Sequence, residues 1–390
     1  MAGETKLRGW LQRVDPAIRC AWGIYLALRV AISLLAALIL RLLNPPTTPD
    51  PILRPYQGVE PILGGWAELV LGVWQRFDTL WYLKIAAQGY SPALGDIHFP
   101  PLYPVLIRAM GTFLPGNYLL VALLISNVAY LLGLIYFFRL VAQEFDIEVA
   151  KRSTLYLAIF PTAFFFLAGY AESLFLLFAV ASFHQMRRGS WLWAGFWGFL
   201  ATLTRLQGVV LIFPLLYEYL KRKGLRRLGR DGLALALIPM SLAIYLGLRL
   251  LVGGTSFLPT AEPTLYAHLA PPWQNVFYSL QTLVSGRFHQ ADLFNFLSLC
   301  LFVTIIILSW RTLPLSYNIY MATGLVLLTL RVVETQPLNS LSRYVLGLFP
   351  AFIFLGIAGR SPIVNRLIVY PSIALLIYLF GQFAIWGWVA

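Results

Sequence analysis

Residues 17–43 read AIRCAWGIYLALRVAISLLAALILRLL. The run is apolar apart from Ser33 and three arginines, Arg19, Arg29 and Arg41. As an α-helix it extends about 40 Å at ~1.5 Å per residue, more than the ~30 Å hydrocarbon core of a bilayer. Residues 118–140, YLLVALLISNVAYLLGLIYFFRL, repeat the pattern. Further apolar runs cover 153–168, 171–186, 191–204, 208–220, 232–252, 292–310, 315–331, 344–358 and 367–389. Of the 390 residues 59% are hydrophobic and only 12% charged, too much apolar surface for a soluble domain of this size to hide. A lipid-spanning β-barrel would show short alternating strands, whereas these runs are long and continuous. The expectation is therefore an all-α polytopic membrane protein, a single domain over 1–390 with about eleven transmembrane helices.

The charges orient it. The net charge of +13 is spread between the spans rather than gathered in one domain, so it reads as basic loops on one membrane face and not as a nucleic-acid surface. With the N-terminus inside, Lys6, Arg8 and Arg13 precede the first span, and the inner loops hold Arg139, Lys151, Arg152, Arg187, Arg188, the cluster from Lys221 to Arg230, Arg311, Arg360 and Arg366. That order keeps the positive-inside rule throughout. The first apolar run is too long for a signal-peptide core, so it reads as a retained helix. Residues 102–110 are apolar but short, and Pro104 is expected to interrupt them. They read as a re-entrant or interfacial helix, since a full span there would put the 221–230 cluster outside.

Two long polar segments then face outward, 44–100 and 253–291, and long loops are often functional. The first carries Trp66, Trp74, Trp81 and Tyr82, aromatics suited to a headgroup interface. Glu68 to Gly89 reads as short amphipathic helices lying on the membrane. Cys20 and Cys300 sit in distant spans and imply neither a disulfide nor a metal site. His98, His184, His268 and His289 are scattered, with no metal-ligand spacing. Asp146-Ile147-Glu148 reads as a solvated inner loop. No glycine-rich loop leads into a helix in the manner of a nucleotide site, so the expectation is no cofactor and no metal.

A few charges remain in or beside spans on the outer side, where they are costly and usually have partners or roles. Asp78 either caps a helix or acts as a general base. Glu172, between two apolar runs, either sits in a tight turn or pairs with an arginine and orients a substrate. Arg205 and Arg343 either snorkel to headgroups or bind an anion, for which the planar guanidinium fork suits phosphate. Arg29, deeper in the first span, serves either a packing pair or a phosphate.

Several segments in order resemble the PIG-V family of mannosyltransferases, especially its bacterial relatives. They are Phe77-Asp78 with Trp81-Tyr82-Leu83-Lys84-Ile85-Ala86 and Gly89-Tyr90; Phe99-Pro100-Pro101-Leu102-Tyr103-Pro104; and Ser126-Asn127. Phe160-Pro161-Thr162-Ala163-Phe164-Phe165-Phe166 with Tyr170-Ala171-Glu172-Ser173, Thr202-Leu203-Thr204-Arg205 with Gly208, and Ser342-Arg343-Tyr344 complete the set. The match is dense from about Arg76 to Leu220 and thin afterwards. Phe77 stands where the family usually has Trp, Pro100 for a usual Phe, Ala171 for a usual Ser, and Leu206-Gln207 for a usual Pro-Asn. None of these removes a charge.

The resemblance implies a GT-C glycosyltransferase fold in a bacterial plasma membrane, with the active site facing away from the cytoplasm. It implies a polyprenyl-phosphate sugar donor, typically of mannose, a lipid, glycan or protein acceptor, and inversion at the anomeric carbon. Asp78 would be the base. Arg205, Arg343 and Arg29 would hold the donor phosphate, and Arg76, His98, Tyr103, Tyr170, Glu172 and Tyr344 would line the pocket. The chemistry is self-consistent. A phosphate on an anomeric carbon is already a good leaving group, needing cations but no general acid. The rival class, a transporter or flippase of a lipid-linked sugar, predicts repeats and broken helices at mid-membrane.

Overall fold

The structure, a computed structural model, describes residues 15–46, 48–51, 53–91, 96–114, 116–224, 229–252, 267–333 and 335–389. Lys6, Arg8, Arg13, Arg226, Arg227 and residues 253–266 of the second outer segment lie outside the described residues.

Helix α1, Pro16–Leu43, starts where Asp15 accepts a hydrogen bond from the Ala17 N–H at 2.8 Å and Pro16 takes the first turn, and ends at Asn44 in the left-handed region. Its buried residues, Ala17, Ala21, Leu28, Ile32, Ala36 and Leu40, form one stripe. Trp22, Leu26, Val30, Leu34, Leu38 and Leu42 recur every fourth residue on an exposed apolar ridge. Water would penalise such a ridge, whereas lipid matches it.

The first outer segment holds α2 (Gly65–Val70) and α3 (Asp78–Gln88), followed by α4 (Leu102–Gly111). Trp66 is exposed, as an interfacial aromatic would be. Helix α3 departs from the expectation of an amphipathic surface helix: Thr79, Leu80 and every residue from Tyr82 to Ala86 are buried, so it is packed into the protein. Nor does Pro104 interrupt its helix. It is the third residue of α4, in the first turn, where a missing N–H forfeits no helical hydrogen bond.

The core is built on α5 (Tyr118–Glu144), α6 (Ile147–Ile159), α7 (Glu172–Arg187) and α8 (Trp191–Thr204). Helix α7 lies between α5 and α8, and α8 packs in turn on α10 (Leu233–Leu251), which follows α9 (Ile212–Lys223). The remaining helices are α11 (Pro272–Val284), α12 (Gln290–Ser309), α13 (Leu315–Thr329), α14 (Leu341–Tyr344), α15 (Pro350–Ala358) and α16 (Pro362–Ala384). A two-stranded antiparallel sheet joins β1 (Ala267–Leu269) to β2 (Arg331–Val333), with Leu269 opposite Arg331.

Each of the eleven expected spans falls on a helix or a pair of short helices. Among the described residues five helices, α1, α5, α10, α12 and α16, are long and apolar enough to cross a bilayer. A sixth is the pair 341–347 and 350–358, bent by 84°. The others are shorter; α7, with 16 residues, is about 24 Å long. Its two ends carry the charged groups of interest.

Candidate active site

Asp78 is the first residue of α3, not its cap. The cap position is Phe77, at φ 48°, a strained conformation for a bulky residue. Its ring is held among Phe383, Trp386 and Trp388, with ring centroids 5.3–5.8 Å away, so the C-terminal end of α16 and the residues after it fix the strained turn. The Asp78 N–H donates to the Tyr170 hydroxyl at 3.2 Å. Its carboxylate accepts from Arg343 Nη1 at 2.7 Å.

Arg343 is the hub. Its Nη2 donates to the Tyr344 hydroxyl at 3.0 Å, and its Nε lies 3.2 Å from Glu172 Oε1. Glu172 Oε1 also forms a close ion pair with Arg205 Nη1. The guanidinium of Arg205 lies 4.5 Å from the Tyr344 ring centroid and that of Arg343 4.8 Å from it, with Phe165 and Tyr170 5.4 Å from Arg343. Asp78, Glu172, Arg205 and Arg343 thus form a charge-balanced tetrad. Its side chains are 5% exposed at Glu172 and Arg343 and 11% at Arg205, while Asp78 is 19% exposed. Asp78 is therefore the member of the tetrad most open to its surroundings.

Local sequence explains how these groups meet. Helix α8 stops at Arg205, which turns to extended backbone and sends its Nε toward Gln207 Oε1 at 3.3 Å. The chain then doubles back so tightly that a Cβ at Gly208 would lie 2.3 Å from the Thr202 nitrogen. A Cβ at Gly169 would press on Thr79, next to Asp78, at 2.9 Å. The Arg343 turn is tied down through Ser342, whose N–H donates to Asn295 Oδ1 at 2.9 Å and whose carbonyl accepts from Thr162 Oγ1 at 2.8 Å.

Of the residues singled out from the sequence, Asp78, Tyr170, Glu172, Arg205, Arg343 and Tyr344 come together. Four do not join the tetrad. Tyr103 is fully buried and bonds Ser126 Oγ at 2.6 Å and the Ala122 carbonyl at 3.0 Å. Ser126 in turn donates to the Tyr170 carbonyl at 2.8 Å, so Tyr103 braces the site from behind instead of lining it. Arg76 donates to the carbonyls of Gly72, Gln75 and Ala384 and lies over Trp386, a strap that joins the first outer segment to the end of α16. Arg29 lies over Trp74 at 5.0 Å, behind the aromatic layer that carries Phe77. His98 belongs to a neighbouring group with Arg249 and Arg331. Burial, aided by those two charges, pushes its imidazole down to about 4, so it is neutral at physiological pH.

Tyr82, Phe165 and Gln207 join the site without having been singled out for it. Tyr82 stands on α3 one turn after Asp78 and meets Tyr103 edge to face at 4.8 Å. Its one sequence signal is that it follows Asp78 by four residues, which brings both to one helix face. Among the described residues no group of three His, Cys, Asp or Glu could hold a metal ion.

The helical fold has a solved counterpart. The chain matches a crystal structure of ArnT from Cupriavidus metallidurans bound to undecaprenyl phosphate, with TM-score 0.51 and 14% identity, over 93% of this chain and 77% of that one. It also matches an oligosaccharyltransferase from Archaeoglobus fulgidus in complex with Zn and sulfate, with TM-score 0.47 and 14% identity, over 91% of this chain and 53% of that one. No curated protein matches it by sequence. The fold defines the class: a multi-pass membrane protein of the GT-C glycosyltransferase fold. Residues 24–224, just over half of the chain, match the family described as Mannosyltransferase (PIG-V), and the chain belongs to that family. It is a membrane glycosyltransferase.

Proposed function

We propose that the protein transfers mannose, or a related hexose, with inversion from a polyprenyl-phosphate sugar to an acceptor hydroxyl on the extracytoplasmic face. The observation that carries this reading is the ion pair of the partly open Asp78 with the buried Arg343. The pair holds the carboxylate aimed, with one edge open to an acceptor, as a base needs. The acceptor hydroxyl gives its proton to Asp78, and its oxygen bonds the anomeric carbon. The bond from that carbon to the phosphate oxygen breaks, and its electron pair leaves with the polyprenyl phosphate. The leaving phosphate thereby gains one negative charge. Arg343 and Arg205, held by the carboxylates and by Tyr344, face that developing charge without reorganising.

A single carboxylate at the point of attack suits in-line displacement and hence inversion. The structural similarity to a protein that binds undecaprenyl phosphate supports a lipid-phosphate donor. The charge order along the chain supports an outward site and a cytoplasmic N-terminus. The tetrad gathers at one end of α7, which favours transfer over a transport site shared between two halves. The test is transfer of labelled mannose from polyprenyl-phosphate mannose in proteoliposomes, with the product's anomeric configuration determined. An inverted product supports the reading, whereas retention, or lipid-linked sugar crossing the bilayer without transfer, contradicts it.

A further inference from the structure

In the tetrad two arginines are matched by two carboxylates. Arg331, Arg249 and His98 form a second group close to Tyr344. The charge of Arg331 acts on both Tyr344 and His98, and that of Arg249 on His98, so the three lie close together. The placement is built. Arg331 opens β2, where Leu269 pairs with it across the sheet and Asn275 Nδ2 donates to its carbonyl at 2.8 Å. Arg249 is buried in the last turn of α10, one turn after Tyr245. The Tyr245 hydroxyl donates to the carbonyls of Ile97 and His98, which ties α10 to the His98 turn.

Arg331 has no carboxylate partner among the described residues, and its Nε is buried without a hydrogen-bond acceptor. The nearby Lys84 is matched by Asp96 at 3.4 Å. Arg331 is partly buried, and a guanidinium Nε buried without an acceptor is costly and marks a place where an anion can bind. The tetrad arginines, by contrast, each have a carboxylate at ion-pair distance.

We propose that Arg331, with Arg249 beside it, is the ground-state seat of the donor's lipid phosphate, separate from the tetrad. This rests on the reading above and divides its labour. The donor phosphodiester carries one negative charge and docks on Arg331 and Arg249. When the anomeric carbon–oxygen bond breaks, the departing electron pair adds a second charge, and that increment is met by Arg343 and Arg205. The neutral His98 packs the seat without adding charge. Arg331 and Arg249 therefore govern donor KM, whereas Arg343 and Arg205 govern kcat.

The experiment uses the full chain in nanodiscs. Undecaprenyl phosphate alone is the binding probe, read by native mass spectrometry, alongside steady-state kinetics with polyprenyl-phosphate mannose. Arg331→Gln raises KM and weakens lipid binding about 10- to 100-fold, the loss of one or two charge-assisted contacts, with kcat within about 3-fold. Arg331→Lys, which keeps the charge and guards against misfolding, restores much of the binding. Arg343→Lys does the reverse, lowering kcat with lipid binding largely kept. Inorganic phosphate at equal concentration does not displace the lipid; displacement overturns the assignment to a lipid phosphate. Unchanged lipid binding and KM in Arg331→Gln overturns the seat while leaving the transferase reading intact. A wild-type protein that binds the lipid through Arg331 but transfers no sugar overturns the transferase reading and not the seat.

Discussion

The two ends of α7 carry nearly the same charges and are built for different tasks. At its start Glu172 joins Arg205, Arg343 and Asp78. At its end, about 22 Å away by helical rise, Arg187 pairs closely with Glu144 and at 2.9 Å with Glu218, which Arg222 approaches at 3.6 Å. Each cluster has two carboxylates and two arginines. In the Arg187 cluster both carboxylates are buried, at 8% and 3% exposure, and the outermost group is a cation, Arg222 at 38%. In the Glu172 cluster the arginines are buried and the outermost group is a carboxylate, preceded by a strained residue. A cluster that shows only a cation to its surroundings clamps the ends of α5, α7 and α9 together. One that shows a carboxylate held by a buried arginine presents the group that the proposed reaction needs as its base. Composition does not separate the two; exposure and backbone strain do.

The sharpest way to break this contrast is to remove a carboxylate or an arginine from each cluster. Glu172→Gln leaves Arg205 and Arg343 without their shared partner. Both activity and stability should fall, activity by about 10²-fold or more and stability by about 3–5 kcal/mol. Arg187→Ala should cost a similar stability, read as the unfolding midpoint in detergent, while kcat of the protein that remains folded stays near wild type. Equal activity losses in the two variants would erase the distinction. Gly208→Ala tests the tight return that places Arg205. The overlap with Thr202 should cost about 1–3 kcal/mol and lower kcat, because Arg205 must shift with the backbone. The smallest effect belongs to Asp146, which caps α6. The Val149 N–H at 2.7 Å, with Arg360, holds its carboxyl below the usual carboxylate range. Its contribution is present above the unfolded pKa of about 3.9 and is lost as pH falls through the lower folded value. Asp146→Ala should thus lower the midpoint slightly at neutral pH, by about 1 kcal/mol or less, with the gap to wild type closing below about pH 4.

Much of this was legible in the sequence. Long apolar runs located the helices. Asp78, Glu172, Arg205 and Arg343 stood out because charges beside apolar runs need partners, although nothing local said which partner each would find. Closure over 265 residues from Asp78 to Arg343 depends on tertiary packing. The same holds for Phe77, whose strained turn is fixed by Phe383, Trp386 and Trp388 from the far end of the chain. Arg29 and Arg76 looked like site residues by charge, but their partners are aromatic faces and backbone carbonyls, which charge pattern does not reveal. The reading of α3 as a surface helix failed because its aromatic content was taken for an interfacial signature, when those rings pack against Phe99 and Tyr103. Glu144 and Glu218 went unremarked because each sits near a helix end, where a carboxylate looks solvated until its arginine is placed.

The central claim is that the carboxylate at the start of α3 is the base. Its most direct test sets Asp78→Asn beside Glu218→Gln in proteoliposomes, with polyprenyl-phosphate mannose as donor and folding checked by the unfolding midpoint. The account predicts that Asp78→Asn stays folded and loses transfer by about 10²–10⁴-fold, while Glu218→Gln is less stable and still turns over. Transfer at the wild-type rate by folded Asp78→Asn protein would contradict it.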